Sequence, residues 1–267
     1  MSFSLIAAFL VLGAAVGFAA GLLGVGGGML LVPFITLLLT AQSFPNELIL
    51  HMAIATSLAT ILLTSMSSVL AHHRSGAVRW DIFKPLAPGI LVGSWIGPWI
   101  GKQMNSTALA LFFAFFIALS AAQMLIDKKP SAAHDLPAAP GMFGVGTVIG
   151  ILAGLVGAGG GFVSVPFMTW CNVKIHQAIA TSAALGFPIA LAGTLSNIYF
   201  GMSTPNLPSG SLGFVYLPAL LVISPVSMLT APLGAKAAHA LPIKTLKKTF
   251  ALTLFALAAY MLYHAFH

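Results

Sequence analysis

Long hydrophobic segments make up most of the chain, and short polar or basic segments separate them. They lack the alternation of apolar and polar residues that is typical of membrane β-strands, so we predict that they are helices. The segments lie at roughly 3–20, 28–41, 48–71, 82–101 and 107–126, and again at 142–157, 161–171, 177–200, 213–235 and 249–266. The second segment of each series has only about 11–14 residues, too few to cross an apolar core of about 30 Å. We expect it to form a hairpin with the segment before it.

A glycine-rich sequence occurs twice, which indicates an internal duplication. Gly21-Leu-Leu-Gly-Val-Gly-Gly-Gly28 returns 133 residues later as Gly154-Leu-Val-Gly-Ala-Gly-Gly-Gly161, and Val-Pro-Phe follows both copies. His51-Met-Ala-Ile-Ala-Thr-Ser57 returns 125 residues later as His176-Gln-Ala-Ile-Ala-Thr-Ser182. We therefore predict a first transmembrane repeat at 1–127, a linker at 128–140 with prolines and small residues, and a second repeat at 141–267.

Composition excludes a soluble domain. Hydrophobic residues make up 59% of the chain and charged residues 6%, and the mean hydropathy is +1.03. A water-exposed surface needs more polar side chains than this, so the protein is expected to be integral to a membrane. The net charge of +7 does not indicate nucleic-acid binding, because the basic residues are scattered between apolar segments. Cys171 is the only cysteine, which rules out an internal disulfide and a multi-cysteine metal site.

The basic residues predict the orientation in the membrane. They cluster in three places that the positive-inside rule assigns to the cytoplasm, the linker among them, whereas Lys102 falls outside and is a single violation. Each half then has an odd number of crossings, so the halves are inverted and both termini face out. The predicted fold is an all-α polytopic membrane protein of two inverted repeats, each a glycine-turn hairpin plus three transmembrane helices, about eight helical elements in total. The three clusters are Arg74, Arg79 and Lys84; Lys128 and Lys129; and Lys236, Lys244, Lys247 and Lys248.

Inverted repeats are typical of transporters, whose substrates bind where broken helices meet near the midplane. The glycine triplets at 26–28 and 159–161 permit positive φ and a close approach to a ligand, and each precedes a helix start with unpaired N–H groups. Such a helix start favours an anion. The earlier glycines of each copy recur every four residues, which is typical of close helix packing. The predicted substrate-binding residues are Gly24, Gly26, Gly27, Gly28, Thr56 and Ser57 in the first half, and Gly157, Gly159, Gly160, Gly161, Thr181, Ser182 and Asn197 in the second.

Other polar residues leave two interpretations open. The Thr-Ser hydroxyls either donate to an oxyanion or bond back to a helix carbonyl. His51 and His176 lie at the start of equivalent helices. There they either bind and release a proton during gating or simply lie at the membrane interface. Arg74 either attracts anions to the cytoplasmic mouth or serves only as one of the basic residues that set the orientation in the membrane.

Acidic residues are too few and too peripheral for a cation pump. Glu47, Asp81, Asp127 and Asp135 all lie at segment ends or in loops, whereas cation pumps commonly place a carboxylate within the membrane. Hydrolase motifs such as Gly-x-Ser-x-Gly and His-Glu-x-x-His do not occur. We therefore predict a transporter of an anion or neutral solute rather than an enzyme, with no cofactor and no metal.

The doubled Gly-x-x-Gly-x-Gly-Gly-Gly, the Val-Pro-Phe and Ala-Thr-Ser sequences and Gly234-Ala-Lys236 resemble the TauE/SafE family of sulfite exporters over nearly the whole chain. The resemblance implies export of sulfite, sulfoacetate or related organosulfonates across the bacterial inner membrane, by alternating access. The expected partners are a small anion and the lipid bilayer, and a homo-oligomer is left open. One alternative is proton-coupled uptake of a sulfate- or thiosulfate-like anion. The other is a membrane assembly factor that transports nothing.

Overall fold

The computed structural model describes residues 3–23, 28–74, 76–126, 135–238 and 243–266, and within these ranges it contains ten helices and two short strands. The helices are α1 (Phe3–Leu23), α2 (Gly28–Ala41), α3 (Asn46–Arg74), α4 (Trp80–Gln103), α5 (Ser106–Ile126), α6 (Ala139–Val156), α7 (Gly161–Trp170), α8 (Ile175–Gly201), α9 (Leu217–Ala238) and α10 (Ile243–Phe266). Strands β1 (Ser211–Leu212) and β2 (Val215–Tyr216) form an antiparallel hairpin. The predicted all-α polytopic membrane protein is confirmed.

Five helices of the described chain are long and apolar enough to cross a membrane: Asn46–Leu70, Ser106–Ile126, Ala139–Val156, Ile175–Gly201 and Leu217–Gly234. The short second segment of each half is a separate helix, α2 with 14 residues and α7 with 10. At a rise of about 1.5 Å per residue, α7 is only about 15 Å long. Each of these short helices begins at the last glycine of a glycine-rich sequence.

Glycine spacing sets the closest helix contacts. A methyl group added to Gly150 of α6 would lie 2.5 Å from the carbonyl oxygen of Ile90 in α4. A methyl group on Gly13 of α1 would lie 2.9 Å from the carbonyl oxygen of Ile223, and one on Gly17 would lie 2.5 Å from the Cα of Ser227, both in α9. The predicted packing role of the earlier glycines is therefore confirmed at these positions.

The two halves are interlocked rather than side by side. The first helix of each half packs on the fourth helix of the other half, so α1 lies on α9 and α6 lies on α4. The third helices α3 and α8 also pack together, as do the fifth helices α5 and α10. The main hydrophobic core accordingly combines Phe9, Ile35 and Phe113 with Ile149 and Leu254, all with no exposed surface.

Contact registers give the helix directions. Along α4 and α6, Leu86 faces Gly146 and Ile90 faces Gly150, so these two helices run parallel. The corresponding contacts make α1 parallel to α9. The loops between α3, α4 and α5 are short, so α4 begins at the end of the bundle where α3 ends. Because α6 runs parallel to α4, it begins at this same end, which we call the basic end. The opposite end, where α3 and α5 begin, we call the Glu47 end.

One predicted segment begins too early. The hydrophobic segment at 213–235 was expected to be helical throughout, but α9 begins at Leu217. Gly213 has a φ of 55° and turns the chain, and Phe214 and Val215 then pack on Ala55 and Ala59 of α3. Four residues are too few for hydrophobic periodicity to separate a hairpin from the helix that follows it.

Candidate functional site

The second glycine sequence forms a tight turn between α6 and α7. Gly157 ends α6 in the left-handed conformation with φ 68°, and Gly160 precedes α7 with φ 74°. A side chain at Gly160 would also collide with Ile189, whose Cδ1 would lie 2.5 Å from the added Cβ. The left-handed backbone therefore favours glycine at both positions, and a side chain at Gly160 would also force the end of the Ile189 side chain to move.

The start of α2 touches this turn. A methyl group on Gly28 would lie 2.6 Å from the carbonyl oxygen of Gly157 and 2.8 Å from the Cα of Ala158. The two glycine-rich sequences thus meet in the interior of the bundle. The predicted site residues Gly24, Gly26 and Gly27 lie outside the described residues.

The first turn of α7 presents unpaired donors. The N–H groups of Val163 and Ser164 bond to the carbonyl oxygen of Gly160, at 3.1 and 3.0 Å. Within the described ranges the N–H groups of Gly161 and Phe162 have no acceptor, as helix geometry dictates for an N-terminus without a side-chain cap. These N–H groups carry the partial positive charge of the helix start, so they suit an anion.

Three serine hydroxyls surround the turn. Ser57 of α3 donates to the carbonyl oxygen of Gly157 at 2.7 Å. Ser164 of α7 lies 3.0 Å from the carbonyl oxygen of Gly160 and 2.8 Å from the hydroxyl of Ser182 in α8. All three serines are buried. Sequence reasoning named Ser57 and Ser182 but missed Ser164, because the first half has leucine, Leu31, at the equivalent position.

The two predicted threonines link the halves. Thr56 Oγ1 accepts the N–H of Tyr216 at 3.0 Å, just before α9, and Thr181 Oγ1 accepts the N–H of Arg79 at 2.9 Å, just before α4. Both threonines have no exposed surface. Their oxygens therefore stabilise the entry of the fourth helix of the opposite half. Contact with a ligand stays a prediction for both.

The other predicted residues lie away from the turn or make no bond to it. The Nδ2 group of Asn197 donates to the carbonyl oxygen of Gly193 in its own helix, at 2.8 Å. His51 lies at the Glu47 end and His176 is exposed at the start of α8. Arg74 ends α3, and its side chain is outside the described part of the chain.

Two buried hydroxyls of the described helices that lack a hydrogen-bond partner were not predicted at all. Thr194 Oγ1 in α8 and Ser224 Oγ in α9 are buried and have no hydrogen-bond partner among the described residues. Buried polar groups are nearly always paired, so an orphan hydroxyl deserves a functional explanation. Neither residue belongs to a repeated sequence, and an isolated hydroxyl in an apolar helix carries little signal by itself.

Charged side chains stay at the ends of the described bundle. Arg79 and Asp81 form an exposed ion pair at the basic end, and the guanidinium holds the pKa of the Asp81 carboxyl below its usual value. The described residues contain no cluster of histidine, cysteine or acidic side chains that could hold a metal ion. The interior donors of the described residues are therefore uncharged: backbone N–H groups, hydroxyls and the Asn197 amide.

Comparison with known proteins supplies the family. The family model for "Sulfite exporter TauE/SafE" matches residues 9–261. The chain belongs to the TauE/SafE family. A "Probable membrane transporter protein" of Haemophilus influenzae is 38% identical over 261 residues, which cover 97% of this chain and 98% of the relative. The Bacillus subtilis "Probable membrane transporter protein YunE" is 27% identical over 95% of this chain and 96% of its own length. No solved structure matches.

This TauE/SafE-family chain is thus a multi-pass membrane protein whose relatives indicate transport rather than catalysis. The family match covers both glycine-rich sequences, the Thr-Ser pairs and all ten helices in whole or in part.

Proposed function

We propose that this protein exports small sulfur-containing anions, such as sulfite, sulfoacetate or related organosulfonates, across the bacterial inner membrane. The observation that carries the proposal is the meeting of the two glycine sequences, where Gly28 lies against Gly157. The N–H groups of Gly161 and Phe162 and the hydroxyl of Ser182 are the donors for the oxygens of the anion, and Ser57 lines the site while its proton is donated to the carbonyl oxygen of Gly157. They form the proposed site together with the remaining glycines of both turns.

Helix directions support a pair of inverted repeats. The α1–α2 hairpin enters from the Glu47 end, whereas the α6–α7 hairpin enters from the basic end, because α6 runs parallel to α4 and α1 runs parallel to α9. Exchange of conformation between two such halves opens the site to one side and then to the other. The interlocked packing of α1 on α9 and of α6 on α4 couples the halves during this exchange.

Electrostatics support export. Arg79, Lys84 and Lys174 lie at the basic end, which the positive-inside rule assigns to the cytoplasm. Lys84 and Lys174 attract anions to the cytoplasmic mouth, whereas the charge of Arg79 is paired with that of Asp81. The membrane potential, negative inside, then contributes about 2.3 kcal/mol per charge and 100 mV to outward movement of an anion.

A flux assay with purified protein in liposomes tests the proposal. We expect saturable movement of sulfite and sulfoacetate that accelerates when the membrane potential is negative on the side of the anion. Sodium and a neutral sugar should not move. Movement of the sugar or of sodium without the sulfur anions contradicts the proposal, and the absence of any saturable flux favours the assembly-factor alternative.

One observation favours the second candidate, proton-coupled uptake. The His51 ring lies between two backbone carbonyl oxygens, with Nδ1 3.2 Å from that of Glu47 and Nε2 3.1 Å from that of Gly101. A neutral imidazole has one N–H group, so only the protonated ring donates to both carbonyls. Protonation of His51 therefore strengthens the contact between the start of α3 and the end of α4.

A matched pair of variants tests this second candidate. If uptake is coupled through His51, His51→Gln abolishes the stimulation of uptake by an inward pH gradient, whereas His176→Gln at the exposed equivalent position leaves it unchanged. The measurement is anion uptake into liposomes with and without an uncoupler. Uptake that responds equally to the pH gradient in both variants removes His51 from proton coupling.

A further inference from the structure

Ser164 and Ser182 form a buried hydroxyl pair beside the second glycine turn. Their oxygens are 2.8 Å apart, and Ser164 Oγ is also 3.0 Å from the carbonyl oxygen of Gly160. The side chains are 0% and 2% exposed, so bulk water does not compete for these bonds. Ser164 lies in the first turn of α7, immediately after Gly161 and Phe162, whose N–H groups have no acceptor among the described residues.

The proton count allows two arrangements of this pair. Each hydroxyl has one proton and accepts through two lone pairs. When Ser164 donates to the carbonyl oxygen of Gly160, Ser182 donates to Ser164, and no proton is left for a ligand. When Ser164 donates to Ser182 instead, the proton of Ser182 is free for a third group. The two arrangements differ only in the torsion angles of the hydroxyl groups, so they interconvert without movement of the backbone.

We infer that Ser164 is a positioning residue whose hydroxyl oxygen accepts the Ser182 proton in the empty site and releases it when an anion enters. Its proton rotates from the carbonyl oxygen of Gly160 to the Ser182 hydroxyl, and Ser182 donates its own proton to an oxygen of the anion. No proton is transferred and no covalent bond changes. This inference rests on the proposed transport of an oxyanion, and it assigns Ser164 a role that the repeat pattern does not predict.

The first half lacks an equivalent pair of serine hydroxyls. Leu31 occupies the position equivalent to Ser164, and Ser57, the equivalent of Ser182, donates to the carbonyl oxygen of Gly157 at 2.7 Å. The anion is therefore recognised unequally by the two halves. The second hairpin supplies the adaptable donor, and Ser57 stabilises the conformation of the turn.

A double-mutant cycle on liposome flux tests the inference. Ser164→Ala should lower the KM for sulfite about threefold to tenfold, because Ser182 then gives up no hydrogen bond to Ser164 when it donates to the anion, while the maximal rate stays within about twofold. Ser182→Ala should raise the KM about tenfold, the loss of about one hydrogen bond to a charged group. In the Ser182→Ala background, Ser164→Ala should have no further effect, because Ser164 acts only through Ser182.

Ser227→Ala is the matched control, since Ser227 is an equally buried serine that donates to the backbone carbonyl oxygen of Gly13 at 2.9 Å between α9 and α1. It should leave the KM unchanged. Additive effects of Ser164→Ala and Ser182→Ala, or a KM that is unchanged or raised in Ser164→Ala, overturn the inference while leaving the proposed function intact. A wild-type protein that moves no sulfur oxyanion overturns both.

Discussion

Gly28→Ala should reduce the rate of sulfite transport at least about tenfold, although it adds only one methyl group. That methyl would lie 2.6 Å from the carbonyl oxygen of Gly157 and 2.8 Å from the Cα of Ala158. Both neighbours are backbone atoms, so the two hairpins must separate where we propose the anion binds. A tenfold loss of rate corresponds to a free energy of about 1.4 kcal/mol. Separating two hairpins in a closely packed interior is expected to cost at least this much.

Gly144→Ala is the control for this variant. Gly144 belongs to α6, yet nothing lies within 4 Å of an added methyl group. Alanine is a better helix former than glycine by up to about 1 kcal/mol, so this control should fold at least as well as the wild-type protein. The measurement is initial sulfite flux in liposomes at equal protein content. Equal flux in the two variants would show that contact between the glycine sequences is not needed for transport.

Gly150→Val should destabilise the whole bundle, by about 3 kcal/mol or more. Even the first added carbon would lie 2.5 Å from the carbonyl oxygen of Ile90, 2.7 Å from the nitrogen of Ser94 and 3.0 Å from the carbonyl carbon of Gly93, all backbone atoms of α4. Overpacking typically costs about 1–3 kcal/mol, and here two rigid helices must move apart along their full contact. Because α4 and α6 belong to different halves, their separation also disrupts the contact between halves.

The measurement is thermal unfolding of purified protein in detergent, with Gly144→Val on the open face of the same helix as the control. Gly150→Val should lower the unfolding midpoint strongly, and Gly144→Val should change it little. Equal midpoints for the two variants would falsify the close α4–α6 packing.

The sequence predicted most of the helices because membrane helices carry long apolar segments. The segment at 28–41 coincides with α2, and the segment at 161–171 differs from α7 by one residue. The spacing of Gly13 and Gly17 predicted helix packing correctly, because close contact of two helices requires small residues at regular intervals. It did not identify the partner helices, since which helix lies opposite depends on contacts between distant parts of the chain.

The candidate site was only partly accessible from the sequence. The duplicated sequences drew attention to Ser57, which donates to Gly157 in the second glycine turn, and to Ser182, which is hydrogen-bonded to Ser164 in the first turn of α7. The same reasoning could not find Ser164, Thr194 or Ser224, because they depart from the repeat. Nor could it foresee that the oxygens of the two threonines accept backbone N–H groups of the opposite half, since that bond depends on the interlocked arrangement.

The location of a bound anion tests the central claim most directly. Selenite is a close analogue of sulfite whose selenium atom is located by anomalous scattering in a crystal of the protein. Our account predicts one selenium site whose oxygens lie about 3 Å from the N–H groups of Gly161 and Phe162, beside Ser182 and the start of α2. A selenium site away from both glycine turns, in protein that transports selenite, would contradict the account.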